Sequence, residues 1–173
     1  MKTQSSGPAR DMIPRIEKGN SPSTTVPATG LVRDTIVLTR SGEVSVQDIR
    51  AGDYIISRDA GLIRVQDVVH HHVLMQAISI AAGSLGDTRP ETDIVLPADQ
   101  LILIRDWRAQ ALFGRDQALV PASTLVDGEF IRDQGHQALD LYSVKFEHQH
   151  VIYAGGLEVA SARAAVIDLR PAT

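Results

Sequence analysis

The chain contains no cysteine among its 173 residues. This absence excludes disulfide bonds, a thiolate nucleophile and zinc held by cysteine, because all three need the sulfur of that side chain. Any chemistry or added stabilisation must therefore come from other residue types.

A basic excess and a long apolar run are also missing. Asp and Glu outnumber Lys and Arg by 21 to 17, which gives a net charge of −4. Nucleic-acid binding calls for a basic stripe or face, so no nucleic-acid partner is expected. No apolar stretch approaches the roughly 20 residues that cross a bilayer, and the first residues lack the apolar core of a signal peptide. These observations predict no membrane partner and a cytoplasmic location.

The first 29 residues differ in composition from the rest of the chain. They are rich in Ser, Thr, Pro and Gly, with a brief apolar trace at Met12, Ile13 and Ile16. So little apolar surface cannot offset the entropy lost on ordering. We expect a flexible N-terminal tail over residues 1–29, with a candidate short helix or docking peptide around residues 11–18. The folded domain is expected over residues 30–165 and a C-terminal tail over residues 166–173.

From residue 31 onward, short β-rich runs alternate with turn residues. Residues 35–39 and 43–46 flank Ser41-Gly42, a pattern typical of a tight hairpin. Further strands are predicted over residues 54–57, 62–65, a longer run ending near residue 75, and residues 77–81, 94–96, 101–105, 141–146 and 151–153. Because no long segment has a helical period, the sequence predicts an all-β sandwich or compact barrel-like fold.

Helical signals are brief. Residues 121–126 form one candidate, and the Ala-rich residues 160–166 form another because alanine favours helix. Residues 83–91 and 133–137 are polar and contain glycine, which predicts loops.

Three blocks of sequence, taken in order, resemble the Hint (Hedgehog/intein) domain family. The first, residues 35–57, is a hairpin followed by the turn Gly52-Asp53 and another strand; the second, residues 93–103, has a strand, a turn at Pro97 and a strand. The third, residues 142–159, is similar to the closing hairpin of the family. The resemblance spans about residues 30–161 and implies a compact all-β Hint-like fold and a bacterial setting.

Hint domains are known for attacking the peptide bond before their first residue with a Cys or Ser side chain, while a Thr-x-x-His orients and protonates the scissile amide. The positions matched here hold Gly30 for the nucleophile, Leu96 for Thr or Ser, and Asp99 for His. The usual His of the third block matches Gln149. The single asparagine, Asn20, precedes the domain, which excludes the cyclisation that completes intein splicing. The resemblance therefore implies a catalytically degenerate Hint domain that acts as a structural or protein-interaction module without a cofactor.

An autoprocessing alternative is open at the neighbouring residue. The hydroxyl of Thr29 could attack the carbonyl of Ala28, with His148 or His150 as base and Asp99 as a possible proton donor. This N–O acyl shift would release the tail near Thr29 and Gly30.

A second alternative is a metal-binding β module. Side chains at alternate positions of a strand share a face, so His70 with His72, or His148 with His150, each present two imidazoles. Four imidazoles would suit zinc or copper, with Asp99 as a further ligand. The competing interpretation is a solvated polar face of the sheet.

The single tryptophan lies in a charged context. Trp107 is flanked by Arg105 and Arg108, and Trp and Arg dominate the hot spots of protein interfaces. Alternatively, Trp107 covers the core with the arginine stems packed over it. Together with the loop at residues 83–91, these residues are the candidate surface for an unidentified protein partner.

Overall fold

A computed structural model describes residues 29–86 and 88–163 of the chain. The strands are β1 (Leu31–Val32), β2 (Ile36–Thr39), β3 (Gly42–Ser45), β4 (Tyr54–Ser57), β5 (Gly61–Arg64), β6 (Asp67–Ile80), β7 (Ile94–Pro97), β8 (Leu101–Ile104), β9 (Ala118–Pro121), β10 (Ile131–Phe146), β11 (Val151–Ala154), β12 (Leu157–Ala160) and β13 (Ala162–Arg163). The helix α1 is Trp107–Phe113, and two 3₁₀ helices are Val46–Asp48 and Ala122–Leu125. The predicted docking peptide and C-terminal tail lie outside the described residues.

The first hairpin forms as its turn chemistry predicts. Strands β2 and β3 pair from Ile36 with Ser45 to Thr39 with Gly42, so Arg40 and Ser41 form the two-residue loop. Gly42 has φ 103°, a conformation that glycine adopts without steric cost. The Thr39 hydroxyl donates to the Gly42 carbonyl at 2.8 Å and accepts from the Ser41 N–H at 3.1 Å.

Two sheets enclose the core. One has the order β1-β10-β6-β7 with β13 beside β10, and the other has the order β3-β2-β4-β11-β12-β8-β9 with β5 beside β4. Apolar side chains from both sheets form one cluster, whose fully buried members include Val37, Ile55, Ile78, Leu96, Ile102, Phe146 and Ile152. Burying each such side chain contributes about 1.5–3 kcal/mol, which makes this cluster the main stabilising element. The all-β fold class is therefore confirmed.

The longest strands are longer than the sequence predicts. Strand β6 runs unbroken through the gap expected near residue 76, and residues 133–137 lie within β10 rather than in a loop. The polar signal there marks a bulge between Asp133 and His136. Gly135 has φ 71°, and its N–H donates to the Asp133 carboxylate at 2.8 Å. The ladder continues on both sides, because a bulge absorbs turn-like residues without ending the pairing.

The two helical predictions have different outcomes. The 3₁₀ helix Ala122–Leu125 confirms the first. The second is wrong in its described part, because Ala160 ends β12 and Ala162–Arg163 pair in parallel with Lys145 and Phe146 of β10. Pairing with β10 overrides the helix propensity of alanine, which is a weak preference. Residues 164–166 lie outside the described residues.

Helix α1 was not predicted. Its N-cap is Asp106, whose carboxylate accepts from the Arg108 N–H at 3.0 Å, and Gly114 ends it with φ 64°. An Asp cap and a terminal glycine are recognisable helix signals in the sequence. In the described segments, no helix has the length and apolar character needed to cross a membrane.

Candidate functional site

Strand β1 carries the start of the domain into the interior. Leu31 and Val32 pair antiparallel with Tyr142 and Leu141 of β10, which places the buried Gly30 beside Ser143. Gly30 has φ 155°, and a Cβ atom there would lie 3.4 Å from both Ser143 Oγ and the Tyr142 carbonyl oxygen. A side chain at this position is therefore disfavoured mainly by the backbone conformation, and less by contact with neighbouring atoms.

The peptide bond between Thr29 and Gly30 is held at both ends. The Gly30 N–H donates to Gln100 Oε1 at 3.0 Å, and the Ser143 hydroxyl donates to the Thr29 carbonyl at 3.4 Å. These four residues define the amide crevice. Both side chains that hold the amide are uncharged.

Gln100 is positioned by the turn between β7 and β8. Its N–H donates to the Pro97 carbonyl at 3.0 Å, and its side chain is only 2% exposed. Besides accepting from Gly30, it donates through Nε2 to the carbonyls of Ala160 at 2.9 Å and Leu101 at 3.1 Å. All the hydrogen-bonding groups of this buried amide are therefore engaged, as burial requires.

The cavity beside the amide crevice measures about 10 Å³ and is bordered by Gly30, Gln100, Ser143 and Ser161. A cavity of this size holds at most about one water molecule. Nothing larger than a water molecule therefore fits in the cavity beside the amide.

The structure places Gln100, not Asp99, against the amide. Asp99 is exposed, and Leu96 is fully buried in the core. The alternation of β8 is the signal that sequence reasoning missed: Gln100 is in phase with the inward-facing Ile102 and Ile104.

The other candidate catalytic residues are not brought together. His150 Nδ1 lies 2.8 Å from the Asp59 carboxylate, and His148 is exposed. Burial raises the pKa of Asp59, but hydrogen bonds from the Val151 N–H and from His150 outweigh it, so this pKa lies below its ordinary value. No described contact joins Thr29 to either histidine, and Ala28 lies outside the described residues.

The four candidate histidines lie in two separate places. His148 and His150 lie near different carboxylates, Glu147 and Asp59, whereas His70 and His72 share one. On the exposed face of the first sheet, His70 hydrogen-bonds Asp140 and stacks on Tyr142 at 4.5 Å between ring centroids. His72 Nδ1 lies 3.7 Å from the same carboxylate, and Arg33 lies 3.6 Å from its other oxygen. The hydrogen bond from His70 lowers the pKa of Asp140. Among the described residues, no group of three or more His, Cys, Asp or Glu is arranged to hold a metal ion.

The residues around the tryptophan point in different directions. Trp107 is 69% exposed, with the Arg108 guanidinium 5.0 Å from its ring centroid. Arg108 also donates to the Ser84 carbonyl at 3.0 Å, which ties the loop at residues 83–91 to α1. Arg105 instead turns inward to Glu158. Trp107 therefore does not cover the core.

Comparison with known proteins identifies the fold and the family. The sequence model of the Hint domain matches residues 29–165. The structure is similar to the bacterial intein-like domain from Clostridium thermocellum (17% identity, 77% of this chain and 97% of that chain, TM-score 0.52). It is also similar to the DnaX mini-intein from Spirulina platensis (16% identity, 75% and 98% coverage, TM-score 0.50). At such identities these likenesses concern the fold alone.

No curated protein matches the chain at a significant level. The family assignment therefore rests on the domain match, which covers most of the chain. The amide crevice lies at the start of that match, at the position where the resemblance places the family's chemistry. The chain belongs to the Hint domain family.

Proposed function

We propose that this Hint domain has lost the self-cleaving chemistry of its family and acts as a structural or protein-interaction module. The observation that carries the proposal is the amide between Thr29 and Gly30. Uncharged side chains hold it at both ends, and the residue at the nucleophile position has no side chain.

Self-cleavage at this bond would need an activated nucleophile and a proton donor for the nitrogen. An oxygen or sulfur nucleophile must attack the Thr29 carbonyl carbon, and a proton must reach the Gly30 nitrogen. Gly30 has no heteroatom in a side chain, and Gln100 meets the nitrogen as a hydrogen-bond acceptor that does not titrate. Ser143 supplies the neighbouring hydroxyl, but it donates its proton to the Thr29 carbonyl oxygen, and no described residue contacts it as a base.

The same contacts serve the fold. Through Gln100, the start of β1 is joined to the end of β12 and the start of β8. Each hydrogen bond contributes about 0.5–1.5 kcal/mol, and more is lost when a buried partner is left unpaired. Gln100 therefore holds the chain in place and supplies no group that could cut it.

The surface supplies the second part of the proposal. Helix α1 buries only Ala109 and exposes Trp107, Leu112 and Phe113. Exposed tryptophan is frequent among the residues that anchor protein interfaces, and Trp107 is the most exposed of the three.

Intact-mass measurement of the full chain tests the loss of cleavage. The purified protein is incubated at neutral pH with and without hydroxylamine or dithiothreitol, and we expect a single unchanged mass. A new mass corresponding to cleavage before Thr29 or Gly30 would contradict the proposal. Thr29→Ala, incubated in parallel, shows whether any such cleavage uses the Thr29 hydroxyl.

Paired surface variants test the interaction role. Trp107→Ala should lose the proteins that cross-link to the wild type in cell extract, whereas Leu74→Ala should retain them. Leu74 is a suitable control because it is also largely exposed but lies on β6. Equal cross-linking by both variants would exclude α1 as the interaction surface.

A further inference from the structure

Strand β12 carries a buried carboxylate that three guanidinium groups surround. Glu158 is 2% exposed. Its Oε1 lies 2.7 Å from Arg58 Nη1 and 3.5 Å from Arg89 Nη1. Arg105 binds in a bidentate manner, with Nε 3.0 Å from Oε2 and Nη2 3.1 Å from Oε1. These four residues define the arginine cleft.

The charges in the arginine cleft do not balance. In the described part of the chain, the three arginines form no ion pair with any other carboxylate. Asp106 lies at the rim, but Arg108 engages it, so that pair is neutral. Three guanidinium groups and one carboxylate leave two positive charges, in a chain whose net charge is −4. Like charges held this close repel one another, and a second anion would relieve the repulsion.

Space for a second anion is present. A cavity of about 190 Å³ opens beside Arg89, Arg105 and Glu158. This volume is many times that needed for one water molecule, and it has room for a carboxyl group and part of its stem. The apolar part of the wall is formed by Leu85, Leu103, Ile104 and Leu157. Such walls lower the local dielectric constant and strengthen any ion pair formed there.

We propose that the arginine cleft binds the carboxylate of an acidic side chain presented by a partner protein. This inference rests on the proposed interaction role and names the chemistry of the partner. Guanidinium groups bind carboxylates through paired N–H donors in a plane. Arg89 lines the cavity, and its one ion pair in the described part of the chain is the 3.5 Å contact to Glu158.

The neighbouring surface indicates a peptide rather than a free ion. Asp106 lines the cavity, and Trp107, the next residue, is exposed at the start of α1. With an acidic residue seated among the arginines, we expect a neighbouring side chain of the same peptide to contact Trp107. One contact region would then combine charge pairing with an apolar anchor, as interface hot spots do.

The test is a titration of the isotope-labelled full chain with a hexaglutamate peptide, followed by NMR of the arginine Nε–Hε groups. We expect saturable shifts at Arg89 and Arg105 that weaken as ionic strength rises. Hexaglutamine should cause no such shifts. Equal effects of hexaglutamine, or shifts confined to other arginines, would overturn the proposal. If inorganic phosphate saturates these arginines and hexaglutamate does not compete, the site takes a free oxyanion and the peptide assignment is wrong.

Three variants separate a binding role from a structural one. Arg89→Gln should lower the affinity for hexaglutamate about tenfold. Glu158→Gln should raise it severalfold, because the internal competitor for the guanidinium groups loses its charge. Arg64→Gln is the matched control. Arg64 is exposed on β5, and its substitution changes the net charge by the same amount as Arg89→Gln. If the four residues serve only the fold, both Arg89→Gln and Glu158→Gln should bind hexaglutamate more weakly than the wild type, or not at all.

Thermal unfolding of each variant confirms that the chain compared is folded. If Glu158→Gln does not fold, the test compares the hexaglutamate affinities of Arg89→Gln and Arg64→Gln. Equal affinities of these two variants overturn the proposal. Intact mass is followed in the same samples. If the chain stays uncleaved but does not bind hexaglutamate, only the proposal for the arginine cleft is wrong. If the chain is cleaved, the proposed loss of cleavage is wrong, whatever the chain binds.

Discussion

The amide crevice and the arginine cleft meet the same strand two residues apart, yet they are built from opposite kinds of group. The Ala160 carbonyl of β12 accepts from Gln100 in the crevice, and Glu158 of β12 lies at the centre of the cleft. The crevice contains neutral donors and acceptors that are paired with one another. The cleft contains four formal charges, of which two positive ones remain in excess. A saturated neutral site holds the chain in place, whereas a site with excess charge can attract a partner.

The difference also predicts how the two regions respond to the solvent. Amide and hydroxyl groups do not change protonation near neutral pH, and salt screens the hydrogen bonds between them little. Ion pairs with partly exposed arginines are screened by salt. Variants in the two regions should therefore differ in size of effect and in sensitivity to pH and salt.

Removing the central carboxylate should have the largest effect. Glu158→Ala leaves three guanidinium groups without their common partner, and breaking a buried ion pair costs about 3–5 kcal/mol. Because the arginines are about one-third exposed, we expect a loss near 3 kcal/mol in the free energy of unfolding by urea. Glu147→Ala, at an exposed glutamate, should change it by less than about 0.5 kcal/mol. Similar values for both variants would mean that the cluster contributes nothing to stability.

Removing the buried amide should have the next largest effect. Gln100→Ala leaves the Gly30 N–H and the Ala160 carbonyl unpaired, and we expect a loss of about 2 kcal/mol by the same measurement. This loss should be independent of salt, unlike that of Glu158→Ala. Gln149→Ala is the control because Gln149 is exposed. A salt-dependent loss would contradict the contrast between the two regions.

A smaller effect is expected from pH at Asp59, next to Arg58 in the chain. The pKa of Asp59 is lower in the folded protein than its ordinary 3.8, so its ionised form stabilises the fold. This contribution is fully present above that value and is lost as pH falls through the folded-state pKa. Asp59→Asn should therefore flatten the acid limb of a plot of unfolding free energy against pH, by about 0.5 kcal/mol for such an exposed pair. An unchanged acid limb would show that Asp59 contributes nothing, and Gln100→Ala should run parallel to the wild type.

The smallest effect on stability is expected at Trp107. Because its side chain is largely exposed, Trp107→Ala should change the free energy of unfolding by less than about 0.5 kcal/mol. Leu74→Ala should behave in the same way, so that both variants are equally folded in the interaction experiment. A loss of several kcal/mol at Trp107 would mean that the indole ring packs in the core and is not available to a partner.

Much of the fold follows from local signals. The hairpin at residues 36–45 depends on Gly42 and on the residues beside it, and the sequence predicts it correctly. Helix α1 was missed although Asp106 and Gly114 mark its ends. The error at residues 160–163 has another origin, because the partner that makes β13 a strand is β10, a distant part of the chain.

The candidate site was predicted less completely than the fold. Matching on Pro97 pointed to Asp99, whereas the alternation of β8 turns Gln100 inward. The inward turn of Arg105 could not be predicted, because its partner Glu158 lies 53 residues away. A charged residue in a polar stretch looks the same in sequence whether it faces solvent or a buried carboxylate.

The sequence by itself determined which reactive groups are absent. It has no cysteine, glycine stands at the position matched to the nucleophile, and its single asparagine precedes the domain. These conclusions need no structure, because a reaction cannot use an atom that the chain does not contain. Only the tertiary structure decided which distant residues meet at Gly30 and at Glu158. It joined Gly30 to Gln100, 70 residues away, and gathered Arg58, Arg89 and Arg105 around Glu158. Such contacts depend on strand register and on packing between distant segments, which local residue patterns do not encode.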